Sequence, residues 1–220
     1  MPALEATELY RFFHAGDDEV VVLRGVALTL NQGEFTALRG PSGSGKSTLL
    51  SCLAGIDEPD GGAVSIGGER MTRRPEPERA RLRARHFGIL MQSGNLFGHL
   101  TVQANLRLQM ELSGRGKPTE IDDLLGNLGL DGLADTLPAH LSGGEAARAG
   151  LAVALSAKPP VLLCDEPTAE VDAATEQLVI DRLIEDCRRG AAVLVVTHSP
   201  ALAARADRVV DIRDGSIVHG

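Results

Sequence analysis

Gly40-Pro41-Ser42-Gly43-Ser44-Gly45-Lys46-Ser47-Thr48 is the stretch on which the reading of this chain turns. It fits the phosphate-loop pattern GxxxxGK[ST], in which glycines let backbone N–H groups turn inward onto phosphate oxygens. The flanks suit that use. Glu34–Leu38 before it reads as a strand, and Lys46–Leu53 reads as a helix whose N-terminus adds positive partial charge. Lys46 is then placed for β- and γ-phosphates and the Ser47 hydroxyl for Mg²⁺. A plain strand-to-helix turn would account for the glycines but not for every fixed position between those flanks.

Upstream, Val20–Leu30 reads as a strand joined to Glu34–Leu38 by the turn Asn31-Gln32-Gly33. Gly61-Gly62 opens a short strand, Ala63–Ile66, closed by Gly67-Gly68, so the first seventy residues are expected to be rich in hairpins. Downstream, Ser93 to Leu155 has a helical, glycine-punctuated texture, with Leu at helical spacing in Ile121–Leu128 and loop signals at Ser113–Thr119. The last third returns to strand, helix, strand: Val161–Cys164, Thr175–Arg188, Val193–Thr197. Short, wholly apolar strands alternating with helices predict an α/β protein with a parallel sheet covered on both faces.

Composition narrows the function classes. At 220 residues, with 43% hydrophobic and 24% charged, the chain suits one large domain or a domain with an insertion. Aromatics are only 3% with no Trp, so the core must be Leu, Val, Ile and Ala. A formal charge of −8 argues against a large basic field for nucleic acid. The one basic cluster, Arg70 to Arg85, is interrupted by Glu76 and Glu78 and reads as a solvated helix face. Cys52, Cys164 and Cys187 form no CxxC, which favours buried thiols in a reducing compartment over disulfides or zinc. The acidic stretch MPALEATELYR lacks the apolar core of a secretory signal, and the longest apolar runs, such as Ala191–Val196, are strand-length.

Two further strand ends carry chemistry. Pro160–Glu166 is an apolar run ending in two acids, which puts both carboxylates at the carboxyl edge of a parallel strand, where open α/β sheets bind ligands. Asp165 suits the Mg²⁺ shell and Glu166 can take a proton from an attacking water. Val193–Thr197 leads into His198 at the same edge, within reach of a γ-phosphate. A GTPase would need NKxD after a later strand, where this sequence has Thr197-His198-Ser199-Pro200.

Almost a hundred positions beyond the phosphate loop stands Leu141-Ser142-Gly143-Gly144-Glu145, opening a helix through Ala146–Leu155. Ser142 with Glu145 three residues on is a capping box. That accounts for Ser and Glu but not for two glycines, which cost stability in a first helical turn and let a phosphate approach bare N–H groups.

With these motifs in order, the chain resembles the ATP-binding subunit of an ABC transporter over essentially its whole length. The resemblance implies a RecA-like P-loop NTPase core with a mostly parallel sheet (1–92 and 157–220), an N-terminal antiparallel β subdomain, and an inserted helical subdomain (93–156) bearing the signature. It implies ATP and Mg²⁺, with Gly40–Thr48, the glutamine loop at Gln92, Asp165, Glu166 and the His198 switch acting in cis. Gln92 joins Ser47 and Asp165 in the Mg²⁺ shell, and the Asp172 loop joins the nucleotide site. Ser142, Gly143, Gly144 and Glu145 act in trans on ATP bound to a second copy, head to tail. The adenine-stacking aromatic is Phe13, three residues before Gly16, with Tyr10 and Phe12 close by. Partners implied are a second copy and a separate membrane permease that would hold the subunit on the cytoplasmic face of the membrane, with no direct nucleic acid.

GDDEVVVLRGVALTLNQGEFTALRGPSGSGKSTLL, the loop Gln92–Leu96 and LSGGE in place of LSGGQ resemble the group serving lipoprotein release, macrolide export and cell division. The departures are Ala146-Ala147 for a glutamine pair, Val153 for arginine, Val171 for leucine before Asp172, and Leu90-Met91 where phenylalanine is common. The rival reading, a soluble ABC ATPase working on nucleic acid or ribosomes, usually brings coiled-coil insertions, zinc modules or a second cassette, and the sequence carries none of these.

Overall fold

A computed structural model describes residues 2–15, 18–169 and 171–219. The first third holds β1 (Leu4–Ala15), β2 (Asp18–Leu30), β3 (Phe35–Arg39), α1 (Lys46–Leu53), β4 (Gly61–Ile66) and β5 (Glu69–Arg70). Next come α2 (Glu76–His86), β6 (Phe87–Leu90), α3 (Val102–Ser113), α4 (Ile121–Gly126) and α5 (Gly143–Ser156). The chain closes with β7 (Val161–Asp165), α6 (Ala173–Arg188), β8 (Ala192–Val196), α7 (Pro200–Ala203), β9 (Arg208–Arg213) and β10 (Ser216–His219).

Six strands form one sheet in the order β10-β9-β3-β8-β7-β6, parallel throughout except for β10. The apolar runs are explained by its two covered faces. Along β8, Ala192, Leu194 and Val196 enter one apolar cluster with α1, while Val193 and Val195 enter another with α3, α5 and α6. β7 divides the same way, Val161 and Leu163 against Leu162 and Cys164. With every one of these side chains at most 1% exposed, no position is left for a polar alternation.

The second sheet is antiparallel, β2-β1-β4-β5, and packs into the first cluster. The expectation of hairpins needs one correction. β2 and β3 are not partners: the Asn31-Gln32-Gly33 turn passes the chain from one sheet to the other, and Glu34 steadies it by accepting from the Asn31 amide at 3.0 Å and side chain at 2.7 Å. β2 pairs instead with β1, a twelve-residue strand with no sequence expectation. Its buried positions run Leu4, Ala6, then Leu9, because the register shifts around Glu8, whose φ is +48°; that shift breaks period-two alternation.

The expected ends are otherwise close. α1 matches Lys46–Leu53, α6 begins two residues before Thr175, and α5 begins at Gly143 with Ser142 as its N-cap, as the capping reading expected. Arg70 to Arg85 lies mostly on α2, where the partly buried Arg79 pairs with Glu58 at 2.6 Å and Glu76 at 2.8 Å. All three cysteines are free and buried, and burial pushes the Cys52 thiol up to about 12.

The helical segment is joined tightly to the sheet at one point. A Cβ on Gly88 of β6 would lie 2.2 Å from the Ala154 carbonyl oxygen of α5 and 2.7 Å from Pro159 Cγ. Gly88→Ala is therefore expected to force α5 away and cost about 1–3 kcal/mol of unfolding free energy, measured by urea denaturation. An unchanged midpoint would mean that α5 can retreat freely.

Candidate functional site

Three parallel strands bring the predicted residues to one edge. Leu38 of β3 and Asp165 of β7 both pair with Val196 of β8, so the three strands end in one row. Past that row the chain continues into the phosphate loop, Glu166 and Thr197-His198. The junctions are pinned: Thr197 N donates to Leu38 O at 3.2 Å and Glu166 N to Val196 O at 2.9 Å. Glu166 holds φ at +50°, an uncommon conformation for a non-glycine residue and one found where a side chain is aimed by its surroundings.

The phosphate loop is shaped by close backbone approach. Gly45 sits at φ +100°, and a Cβ there would lie 2.8 Å from the Val22 carbonyl of β2, so both conformation and space require glycine. Lys46 is only 8% exposed, and its ammonium donates to Gly40 O at 2.8 Å and Pro41 O at 2.7 Å. An ammonium has three donors, which leaves one for a ligand. Ser47 Oγ donates to Asp165 Oδ2 at 2.7 Å, joining residues 118 positions apart.

Beside that pair, Glu166 Oε2 accepts from His198 N at 3.2 Å, while its Oε1 is buried with no hydrogen-bond partner among the described residues, 3.5 Å from His198 Nε2. The Ser44 hydroxyl is likewise buried and unpartnered. A cavity of about 700 Å³ opens here, the size of a nucleotide-class ligand site. Ser42, Gly43, Gly45, Lys46, Ser47, Thr48, Gln92, Asp165, Glu166 and His198 line it.

Val22, Thr168, Ala169 and Ser199 line it too, without having been singled out. The last three follow the strand-end residues directly, so adjacency was an available signal. Val22 is the extra residue where the β1–β2 register shifts, and period alone could not have marked it.

Other predicted residues lie outside this cavity. Asp172 caps α6, accepting from Ala174 N at 2.9 Å and Thr175 N at 3.0 Å. Phe13 pairs with Val20 in the β1–β2 ladder, 43% exposed, with Tyr10 and Phe12 stacked on each other at 6.4 Å. Gly16, which marked Phe13, falls outside the described residues.

Ser142 to Glu145 form a complete capping box: Glu145 N donates to Ser142 Oγ at 3.3 Å and Ser142 N to Glu145 Oε2 at 2.8 Å. Among the described residues, no hydrogen bond engages the amides of Gly143 and Gly144. Gly143, Ala146 and Ala147 line a neighbouring groove of about 380 Å³ with Leu90, Met91, Leu96 and Glu166.

A buried lysine and a hydroxyl–carboxylate pair brought by separate strands to one glycine loop define the phosphate-loop class of α/β proteins. Within that class the comparisons are specific. The ABC transporter family model matches residues 23–169. The chain is 38% identical over 221 aligned residues to the macrolide export ATP-binding/permease protein MacB of Escherichia coli (strain K12), and equally so to that of Shigella flexneri, covering 99% of this chain.

It spans about a third of the length of those relatives, 34% of each. Two solved structures of MJ0796, described as a bacterial ABC transporter cassette, superpose with TM-score 0.92 at 29% identity over 98% of this chain and 97% of theirs. One is described as dimeric and the other as a dimeric post-hydrolysis state bound to ADP and Pi. The chain belongs to the ABC transporter family and is one of its ATP-binding cassettes.

The capping box makes a local prediction. Ser142→Ala should free the Glu145 amide and raise hydrogen exchange in the first turn of α5 about fivefold, equivalent to about 1 kcal/mol. Hydrogen bonds from the Ser142 amide and hydroxyl hold the Glu145 carboxyl below its usual range. A lowered folded value means that the carboxylate's contribution is present above about pH 4.3 and is lost as pH falls through the folded value. Exchange in that turn that is insensitive to both changes would remove the box as its support.

Proposed function

We propose that this cassette hydrolyses ATP to ADP and phosphate in a head-to-tail dimer and passes the resulting motion to a membrane permease. The observation that carries this reading is the Ser47–Asp165 pair at 2.7 Å, set beside Glu166 and the free donor of Lys46. In the proposed arrangement Gly40–Thr48 hold the triphosphate with backbone amides, and Lys46 directs its remaining N–H to the β- and γ-phosphates. Glu166, whose Oε1 is uncommitted, accepts the proton of the attacking water, and His198 holds Glu166 through its backbone N–H and faces the γ-phosphate.

Ser47 and Asp165 are hard oxygen donors of the kind Mg²⁺ prefers, with one carboxylate in the shell and room for substrate phosphates, and Gln92 stands on the same cavity wall. Mg²⁺, when bound, would neutralise charge developing on the transferred phosphoryl group.

Ser142, Gly143, Gly144 and Glu145 belong, in this reading, to the site of a second copy. They do not line their own chain's cavity, and the dimeric state of the MJ0796 cassettes supports exchange between copies. Phe13 stacks on adenine at the rim, and Asp172 orders the start of α6 beside the dimer contact. The MacB relatives, which are ATP-binding/permease proteins, support a permease partner, which would hold the cassette at the cytoplasmic face of the membrane. Residues 93–156 are proposed as the inserted helical subdomain and Gln92–Leu106 as the surface facing the permease.

Two substitutions test the reading. Lys46→Ala should lower ATP turnover about a hundredfold or more, since a phosphate-facing cation is lost; wild-type turnover would refute its assignment. Glu166→Gln should retain nucleotide binding, slow hydrolysis by about a hundredfold or more and accumulate an ATP-bound dimer visible by gel filtration. A monomer at high concentration with Mg-ATP would count against the sandwich.

A further inference from the structure

We infer that Arg11 is a positioning residue for adenine, acting through Phe13; the inference rests on the reading of Phe13 as the base platform. The Arg11 guanidinium carbon lies 4.6 Å from the centre of the Phe13 ring, a cation–π stack that covers one face. Phe13 is nonetheless 43% exposed, so the ring still presents area to a planar ligand.

The guanidinium is itself fixed from below. Asp57 binds it in bidentate fashion, Nε to Oδ2 at 2.8 Å and Nη2 to Oδ1 at 2.9 Å, and Nη1 donates to Asp60 at 3.0 Å. Asp60 also accepts from the Phe12 amide at 2.8 Å, and its own amide donates to Tyr10 O at 2.9 Å. The two aspartates lie on the loop that leaves α1, where the Asp57 amide donates to Ser51 O at 3.2 Å.

The consequence is a continuous mechanical link. α1 begins at Lys46, in the phosphate loop, and the loop leaving it clamps the guanidinium on which Phe13 rests. The phosphate end and the base end of one ligand are thus set by the same short helix. A bidentate fork is needed at this position because it fixes the plane of the guanidinium, whereas an ammonium would hold the charge without the orientation. The ligand class that profits is a purine nucleotide, whose flat base fits the open face while its phosphates reach the loop.

The test is a set of variants in the full chain, with steady-state KM for Mg-ATP, kcat, and the inhibition constant of Mg-tripolyphosphate, which carries no base. Arg11→Ala is expected to raise KM about three- to tenfold with kcat within about twofold, and to leave the tripolyphosphate constant unchanged. Arg11→Lys, which keeps a cation for both aspartates and so guards against loss of folding, should raise KM about two- to fivefold with the same split. Phe13→Ala should match Arg11→Ala, and the double variant should be no worse than Phe13→Ala alone.

The proposal is overturned if Phe13→Ala raises KM while neither Arg11 variant does; the adenine reading would then survive without Arg11. It is also overturned if Arg11→Ala weakens tripolyphosphate and ATP alike, or if the two substitutions multiply, since Arg11 would then serve the phosphate loop or the fold. Unchanged KM in Phe13→Ala would remove the base platform and the proposal with it.

Discussion

The site depends on Leu38, Val196 and Asp165 lying in one row across β3, β8 and β7. Parallel strands that end together deliver their following residues to the same place, and here those residues are a glycine loop, a histidine and a glutamate. A slip of one residue in β7 would turn Asp165 to the opposite face and lose the 2.7 Å contact with Ser47. What fixes the register is burial on both faces: Leu162, Leu163, Val193 and Leu194 are each 0% exposed, and a shifted strand would present the wrong side chain to each cluster. The apolar core and the polar edge are therefore one constraint seen at two positions along the same strands.

That edge holds charges which burial alone disfavours. Lys46 and Asp165 are 8% and 5% exposed, and each is satisfied only in part, Lys46 by two carbonyls and Asp165 by one hydroxyl. Removing such groups from water is costly without full pairing, so the fold must carry them on the strength of its apolar clusters. An anionic ligand with its cation would complete both sets. The partial satisfaction makes sense as preorganisation for that ligand: the Lys46 ammonium ties down the Gly40 and Pro41 carbonyls and keeps one N–H for it.

Much of this was legible because it rests on fixed spacing and wholly apolar strands. Gly40–Thr48 reads from pattern, and Asp165, Glu166 and His198 read from runs that end at a strand edge. What escaped did so for identifiable reasons. β1 was invisible because the shift around Glu8 changes the parity of buried positions, and Val22 was invisible because it is the extra residue at a separate shift, between the Arg11–Leu23 and Phe12–Val21 pairs. Asp172 came from motif order alone, and its side chain is spent on the amides of α6. At Ser142–Glu145 the two readings coexist: the capping box uses the serine and the glutamate, and the glycines leave their amides unspent.

The join between the helical segment and the sheet is uneven, and this bears on how chemistry could reach a partner. At Gly88 the backbones of β6 and α5 approach so closely that even a Cβ would meet the Ala154 oxygen at 2.2 Å. At the other end of α5, Ala146 and Ala147 border an opening of about 380 Å³ shared with Met91, Leu96 and Glu166. Close packing resists displacement, whereas a void offers few contacts to lose. α5 is therefore packed tightly near Ala154 and borders an open groove at Gly143, Ala146 and Ala147. The small side chains that depart from the family pattern thus border this groove at the end of the helix proposed to meet a second nucleotide, beside the glutamate proposed to activate water at the first.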